Sequence, residues 1–242
     1  MDVLFTILKA LAGVASAASL ASAAAMAPAD DAAIHAVHGD APAQAVERPI
    51  AAAELLSPSW MRVAREPLLL REDGAEIVRF DERHDAGVLW NPSLAMQDGD
   101  IDVDLRGRDV PQKSFVGIAC RISADGAAQV VWLRPFNFRS PDPVRRSHSL
   151  QFAAHPEYPW ERLRREHPGV YETELAPAPD PSGWIHMHVE LRGRAVSVFI
   201  DRSPRPALVV ETPEPARSGG FGLWVGSNSN GDFKNLRVRR LD

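Results

Sequence analysis

Apolar residues recur at every second position along most of this chain, in short segments broken by Gly, Pro, Asp or Asn. The segments run from Ala75 to Phe80, Gly87 to Trp90, Asp100 to Leu105, Ser114 to Ile122, Ala128 to Phe138 and Ser147 to Phe152. They resume from Ile185 to Leu191, Ala195 to Ile200, Ala207 to Glu211, Gly220 to Val225 and Asp232 to Val238. A period of two places alternate side chains on opposite faces of an extended strand. Many short strands between turn signals predict an all-β sandwich. Asp125-Gly126 and Arg192-Gly193-Arg194 read as hairpin connections, since Gly accepts the positive φ that such turns require.

The helical signal is confined to "PWERLRREHPG", where Trp160 and Leu163 share one side among charges, between Pro159 and Pro168-Gly169. This short helix belongs to a long excursion between the strand ending at Phe152 and the one starting at Ile185. Loops of that length in compact domains are usually functional or disordered. Tyr158, Trp160, Leu163 and Tyr171 give this one the apolar surface to pack down, so order is expected.

Residues 1–26 read as a signal peptide or N-terminal apolar segment, with Ala-x-Ala-like choices such as Ala21-Ser22-Ala23 before Pro28, Asp30 and Asp31. Asp2 and Lys9 depart from that pattern. Residues 27–58 are rich in Ala, Pro and Asp and read as a linker with at most a short helix around Ile50 to Leu56. The sandwich domain is expected over 59–242, and no other segment is apolar for long enough to span a bilayer.

With 242 residues, 45% hydrophobic and 24% charged, the chain is long enough to bury one substantial core. A formal net charge of −5 lacks the positive field of a sequence-independent nucleic-acid binder, so no nucleic-acid partner is expected. Only Lys9, Lys113 and Lys234 among the 27 basic residues are lysines. Arginine grips planar anionic or hydroxylated groups in a fixed geometry, although a GC-rich genome gives the same bias. Cys120 is the only cysteine and lies in the apolar run "SFVGIACRI", which excludes an intramolecular disulfide and a thiolate metal cluster.

The order "FVGIACRI", "VWLRPFNFRSPDPVRRSHSLQF", "GWIHMHVELRGRAVSVFID" and "GGFGLWVGSNSNGDFKNLRVRRL" resembles the 3-keto-disaccharide hydrolase-like domain. That domain is a jelly-roll, LamG-like member of the concanavalin A-like lectin and glucanase superfamily. The similarity spans roughly Ala75 to Leu241, and its most specific piece is "GLWVG…GDFKNLRV". The resemblance implies a two-sheet antiparallel jelly-roll sandwich, a secreted or periplasmic location, and a saccharide or glycoconjugate lying across a concave sheet. It implies a fold more than a chemistry.

The same resemblance marks Arg134, after the apolar part of a central strand, and Gln151 on the next strand as groove residues. Within the polar, aromatic stretch from Val131 to Glu172, Asn137, Arg139, His148, His155, Glu157, Tyr158 and Trp160 would supply donors, acceptors and a stacking surface. Arg134, Asn137, Arg139, Gln151, Tyr158 and Trp160 are then candidates for substrate binding, and His148, His155 and Glu157 for catalysis. The competing expectation is that the aromatics anchor the loop while Arg145, Arg146, Arg162, Arg164 and Arg165 form a solvated surface.

Two further motifs compete. In "DGDIDVDL", Asp100, Asp102 and Asp104 share a strand face and resemble the acidic strand of laminarinase-type glycosidases, without the Glu residues of that pattern. At about 3.3 Å per residue the outer two are about 13 Å apart, too far to converge as a retaining pair. In "HMHVEL", His186, His188 and Glu190 share a face and offer a metal-ligand set, against the alternative of an ordinary amphipathic strand. No metal or cofactor is expected, although Asn228, Asn230 and Asp232 of "SNSNGD" offer oxygens to a Ca²⁺. Three functions stay open: a saccharide-binding sandwich, a glycoside-cleaving enzyme of the 3-keto-disaccharide hydrolase-like kind, and a non-catalytic protein-interaction sandwich. The oligomeric state is left open as well.

Overall fold

The structure, a computed structural model, describes residues 47–241. The expected leader and the expected linker through residue 46 lie outside the described residues. The alternating segments form two antiparallel sheets. One runs in the order β13 (Leu208–Glu211), β12 (Ala195–Ile200), β11 (Ile185–Arg192), β6 (Gly99–Arg106), β15 (Ser229–Arg240), β4 (Ala75–Arg83) and β3 (Pro67–Glu72). β1 (Glu47–Pro49) pairs with the far half of β15. The other runs β10 (Glu172–Thr173), β9 (Leu150–His155), β8 (Ala128–Leu133), β7 (Val116–Ile122), β14 (Gly219–Val225), β5 (Gly87–Met96) and β2 (Met61–Val63). This is the expected all-β, concanavalin A-like sandwich.

The core lies between the sheets. Val103, Leu105, Met187 and Val189 come from the first, and Ile118, Cys120, Val131, Leu133, Phe152 and Leu223 from the second, all buried. β11 and β12 alternate between buried and partly exposed positions, as a sheet with one wet face should. β7 and β8 are buried at every position, and the segment after β8 folds back over Trp132 on their outer face. That doubly covered environment is where the cavity forms.

Residues 47–58, part of the expected linker, join the fold. β1 pairs Arg48 with Val238, a short helix α1 (Ala52–Leu55) follows, and Ile50 and Leu55 are buried in the core. The physical reason is edge cover: β4 pairs only the first part of β15, and β1 supplies partners to the rest.

The polar, aromatic stretch and the excursion after it are ordered. After a single 3₁₀ turn (Pro135–Asn137) comes α2 (Pro143–Arg146), started by Asp142, whose carboxylate accepts from the Val144 amide at 2.9 Å. β9 then returns along β8, and α3 (Trp160–Glu166) packs onto it through the fully buried Leu163. Tyr171 stacks on Phe152 with ring centroids 5.9 Å apart. Among the described residues no helix is long and apolar enough to cross a membrane.

Candidate functional site

Strand register builds the floor of the site. Trp224, Gly117, Trp132, Gln151 and Glu172 are successive cross-strand partners on β14, β7, β8, β9 and β10, so their side chains share the face turned away from the core. Gly117 sits between the two tryptophans. A Cβ there would lie 2.0 Å from the Val131 carbonyl oxygen and 2.6 Å from Trp132 Cα, so the position admits no side chain. The two indoles meet beside it, tilted at 46° with centroids 5.5 Å apart.

Above this row lies a cavity of about 400 Å³, walled by Phe115, Trp132, Arg134, His148, His155, Trp160, Arg164 and Trp224 among others. The walls come from separate parts of the chain. Arg134 follows Trp132 by two residues, which keeps it on the same face. Trp160 and Arg164 are i and i+4 on α3, with the guanidinium 4.6 Å from the indole centroid.

Gln151 organises the polar side. Its Oε1 accepts from Arg134 Nη1 at 2.8 Å and from Arg164 Nη2 at 3.1 Å, while its buried Nε2 has no partner. Glu172, also buried, accepts from Arg164 Nη2 at 2.5 Å and from Nε at 2.9 Å. His148 Nδ1 lies 2.9 Å from the same carboxylate, within ion-pair distance but off the line of a hydrogen bond. Arg134 Nη1 also donates to the His148 carbonyl at 3.0 Å. Its guanidinium is enclosed by the rings of Trp132, Phe115 and Trp160 at 5.2, 5.6 and 5.7 Å.

The electrostatics follow from this arrangement. Burial, then the charge of Arg164, pulls the Arg134 pKa down to about 9 against the pull of Glu172 and Glu161. Burial also lowers His148, helped by Arg164 and Arg134 and opposed by Glu172. His148 is therefore a neutral imidazole near neutral pH, within reach of a carboxylate that can orient it.

Of the residues expected from sequence, Arg134, Asn137, His148, His155 and Trp160 line the cavity. Gln151 lies fully buried as their support. Tyr158 turns its ring toward Arg162, at 4.4 Å, and bridges to Ala154 through its backbone. Arg139 and Glu157 are exposed and do not line the cavity, and the carbonyl of Glu157 accepts from Arg162.

The other two motifs meet each other. β6 lies beside β11, so Asp104 faces His186, Asp102 faces His188 and Asp100 faces Glu190. On its other side β15 sets Lys234, Arg237 and Arg239 against the same three aspartates. His186 Nδ1 is 2.8 Å from Asp104 and His188 Nδ1 is 2.9 Å from Asp102. Asp100, His188 and Glu190 bring ligand-type atoms within 4.8 Å of one another, but Asp100 is gripped by Arg192 at 2.5 Å and by Arg239. Two cations at that carboxylate oppose a third. In the "SNSNGD" loop, Asp232 accepts from Arg79 Nε at 2.6 Å and from Arg106 Nη2 at 2.6 Å, so its oxygens are likewise taken.

Trp132, Trp224, Phe115, Arg164 and Glu172 are the residues that sequence reasoning missed. Counting back by two from Arg134 finds Trp132, and i+4 from Trp160 finds Arg164, whose side chain otherwise reads as solvated surface. Glu172 and Phe115 carry no such signal, because only the pairing of β10 with β9 and the fold-over of the loop before β7 bring them in.

No protein-family model matches the chain. No curated protein sequence matches it either. Among solved structures, the carbohydrate-binding module CBM66 from Bacillus subtilis is similar over 74% of this chain and 94% of its own, with 14% identity and a TM-score of 0.51. A protein of unknown function with a galectin-like fold, also from Bacillus subtilis, is similar over 81% of this chain and 98% of its own, with 14% identity and a TM-score of 0.50. At these identities the likeness establishes the sandwich fold alone.

Proposed function

We propose that this protein is a secreted or periplasmic carbohydrate-binding sandwich that holds a saccharide in the cavity between α3 and the seven-stranded sheet. The observation that carries the reading is the floor: two indoles side by side over a glycine, rimmed by guanidinium and imidazole groups. Sugars present apolar C–H faces and a fringe of hydroxyls, so flat rings with fixed donors around them match both parts. That a sandwich of this fold serves as a carbohydrate-binding module in Bacillus subtilis supports the reading at the level of architecture alone. The resemblance to the 3-keto-disaccharide hydrolase-like domain supports it through Arg134 and Gln151, which are hydrogen-bonded to each other at the cavity. A purely protein-binding sandwich would not need an open cavity beneath its excursion.

One observation favours a second reading, cleavage of a glycoside. His148 lines the cavity with a pKa lowered by burial, as suits a general base, and its Nδ1 lies 2.9 Å from the Glu172 carboxylate.

Both readings are tested by titrating the chain from residue 47 onward with neutral and charged oligosaccharides and 3-keto-glycosides, following heat of binding and released sugar together. Trp132→Ala is expected to weaken binding about five- to thirtyfold, since it removes a stacking face worth about 1–2 kcal/mol. Binding that survives Trp132→Ala unchanged would remove the cavity from consideration. Turnover abolished by His148→Ala, with binding retained, would establish the catalytic reading over the binding one.

A further inference from the structure

The cavity wall carries three arginines, Arg134, Arg145 and Arg164, against one acidic residue, Glu161. Arg164 is matched by Glu172 behind it, and Arg145 stands 3.9 Å from the exposed Asp142. Arg134 is different. It is 7% exposed, and its hydrogen bonds go to a carbonyl and an amide oxygen, both neutral, through Nη1 alone. Neither Nε nor Nη2 has an acceptor among the described residues, and no carboxylate lies within ion-pair distance of it.

A buried guanidinium without a counter-ion is costly. The three surrounding rings at 5.2 to 5.7 Å are near the outer limit of cation–π contact and offset that cost only in part. Two buried donors are unmatched here: the Trp132 Nε1 at the cavity floor and the Gln151 Nε2 beneath it. All these features ask for an acceptor. Because the Nε–Nη2 edge of a guanidinium is a planar fork, its best complement is a planar carboxylate held by two parallel bonds. The aromatic floor requires that this carboxylate come attached to a ring.

We propose that the saccharide bound in this cavity is an acidic one, whose ring carboxylate docks on the free edge of Arg134 while its apolar face lies over Trp132 and Trp224. The assignment rests on the saccharide reading above and adds the ligand class. Arg134 reads the carboxylate, the indoles read the ring, and Arg145 at the exposed rim steers the anion inward.

The test uses matched pairs. Short fragments of polygalacturonate, alginate and heparosan are titrated by calorimetry against their carboxyl-reduced counterparts, which keep the same linkages without the charge. At least one acidic fragment is expected to bind tenfold or more tightly than its reduced partner, with affinity falling as salt is raised from 50 to 300 mM. In Arg134→Gln that preference is expected to vanish. Should Arg134→Gln fail to fold, Arg145→Gln at the exposed rim keeps the test alive: it is expected to slow association of the acidic fragment and to flatten its salt dependence.

Equal affinity for both members of each pair, lost in Trp132→Ala, would overturn the acidic assignment and leave the saccharide reading standing. Stronger binding of sulfated neutral oligosaccharides than of carboxylated ones would overturn the carboxylate assignment in the same way. Silence toward every pair, with no response in the neutral panel either, would remove both readings.

Discussion

At the end of β7 remote from the cavity, Arg121 is fully buried with φ of +51°, and it ties together three connections that the sheets alone leave loose. Its Nε and Nη2 donate to the Gln97 carbonyl at 3.0 and 2.7 Å, Nη2 also to the Gly193 carbonyl at 2.6 Å, and Nη1 to Gln129 Oε1 at 3.2 Å. Asp98 provides the counter-charge 3.6 Å away. Arg121→Met keeps the stem volume and removes all the donors. Each stranded acceptor costs about 1–3 kcal/mol, and three are affected, two of them near enough to the surface for water to recover part of the loss. The expected destabilisation is about 3–6 kcal/mol. At about 2–4 °C per kcal/mol for a chain of this size, the melting temperature should drop by about 6–24 °C. Differential scanning calorimetry with a urea titration measures both quantities. Since the change lies at the other end of β7 from Gly117, any ligand affinity measured well below the melting point should be unaltered. A variant melting within about 3 °C of the parent would show that the guanidinium is a passenger and that the acceptors find other donors.

The ladder on the outer face of the first sheet should make stability depend on pH. The hydrogen bond to Asp102, then that residue's charge and Glu190, raise the His188 pKa despite burial, so this contribution is complete below about pH 6.5 and is lost as pH climbs through the folded value. Burial pushes Asp102 up, but His188 and His186 outweigh it and hold it low, so its contribution is present above about pH 4 and fades below. Denaturation midpoints from pH 4 to 9 should plateau between these limits and decline on the alkaline side, and Asp102→Asn should flatten that decline; a midpoint still rising above pH 7 would refute the assignment. Cys120, fully buried with its thiol pushed up to about 11, should not react with a thiol-specific disulfide reagent at pH 8 until the protein is unfolded in urea, and a fast reaction of the native protein would contradict its burial.

Much of the sandwich was legible along the chain, because a two-residue period records directly which side of a strand faces the core: Met187, Val189 and Leu191 are buried and His186, His188 and Glu190 face out, as the alternation says. Arg134 was marked by a family resemblance, and Asn137, His148, His155 and Trp160 by their place in a stretch too polar for a core and too aromatic for a linker; all five line one cavity. Pairing across distance was not legible. That Asp100, Asp102 and Asp104 lie opposite two histidines and a glutamate follows from setting β6 beside β11, and no property of either segment reveals the other. Gly117 reads locally as a mere gap in a strand and becomes the space between two tryptophans only when β14 and β8 flank it. Glu172 gains its role from a two-residue strand that pairs with Gln151. Strand identity is a local matter of side-chain alternation, whereas register and neighbour choice are settled by the sum of contacts across both sheets, and the candidate site is made of those contacts.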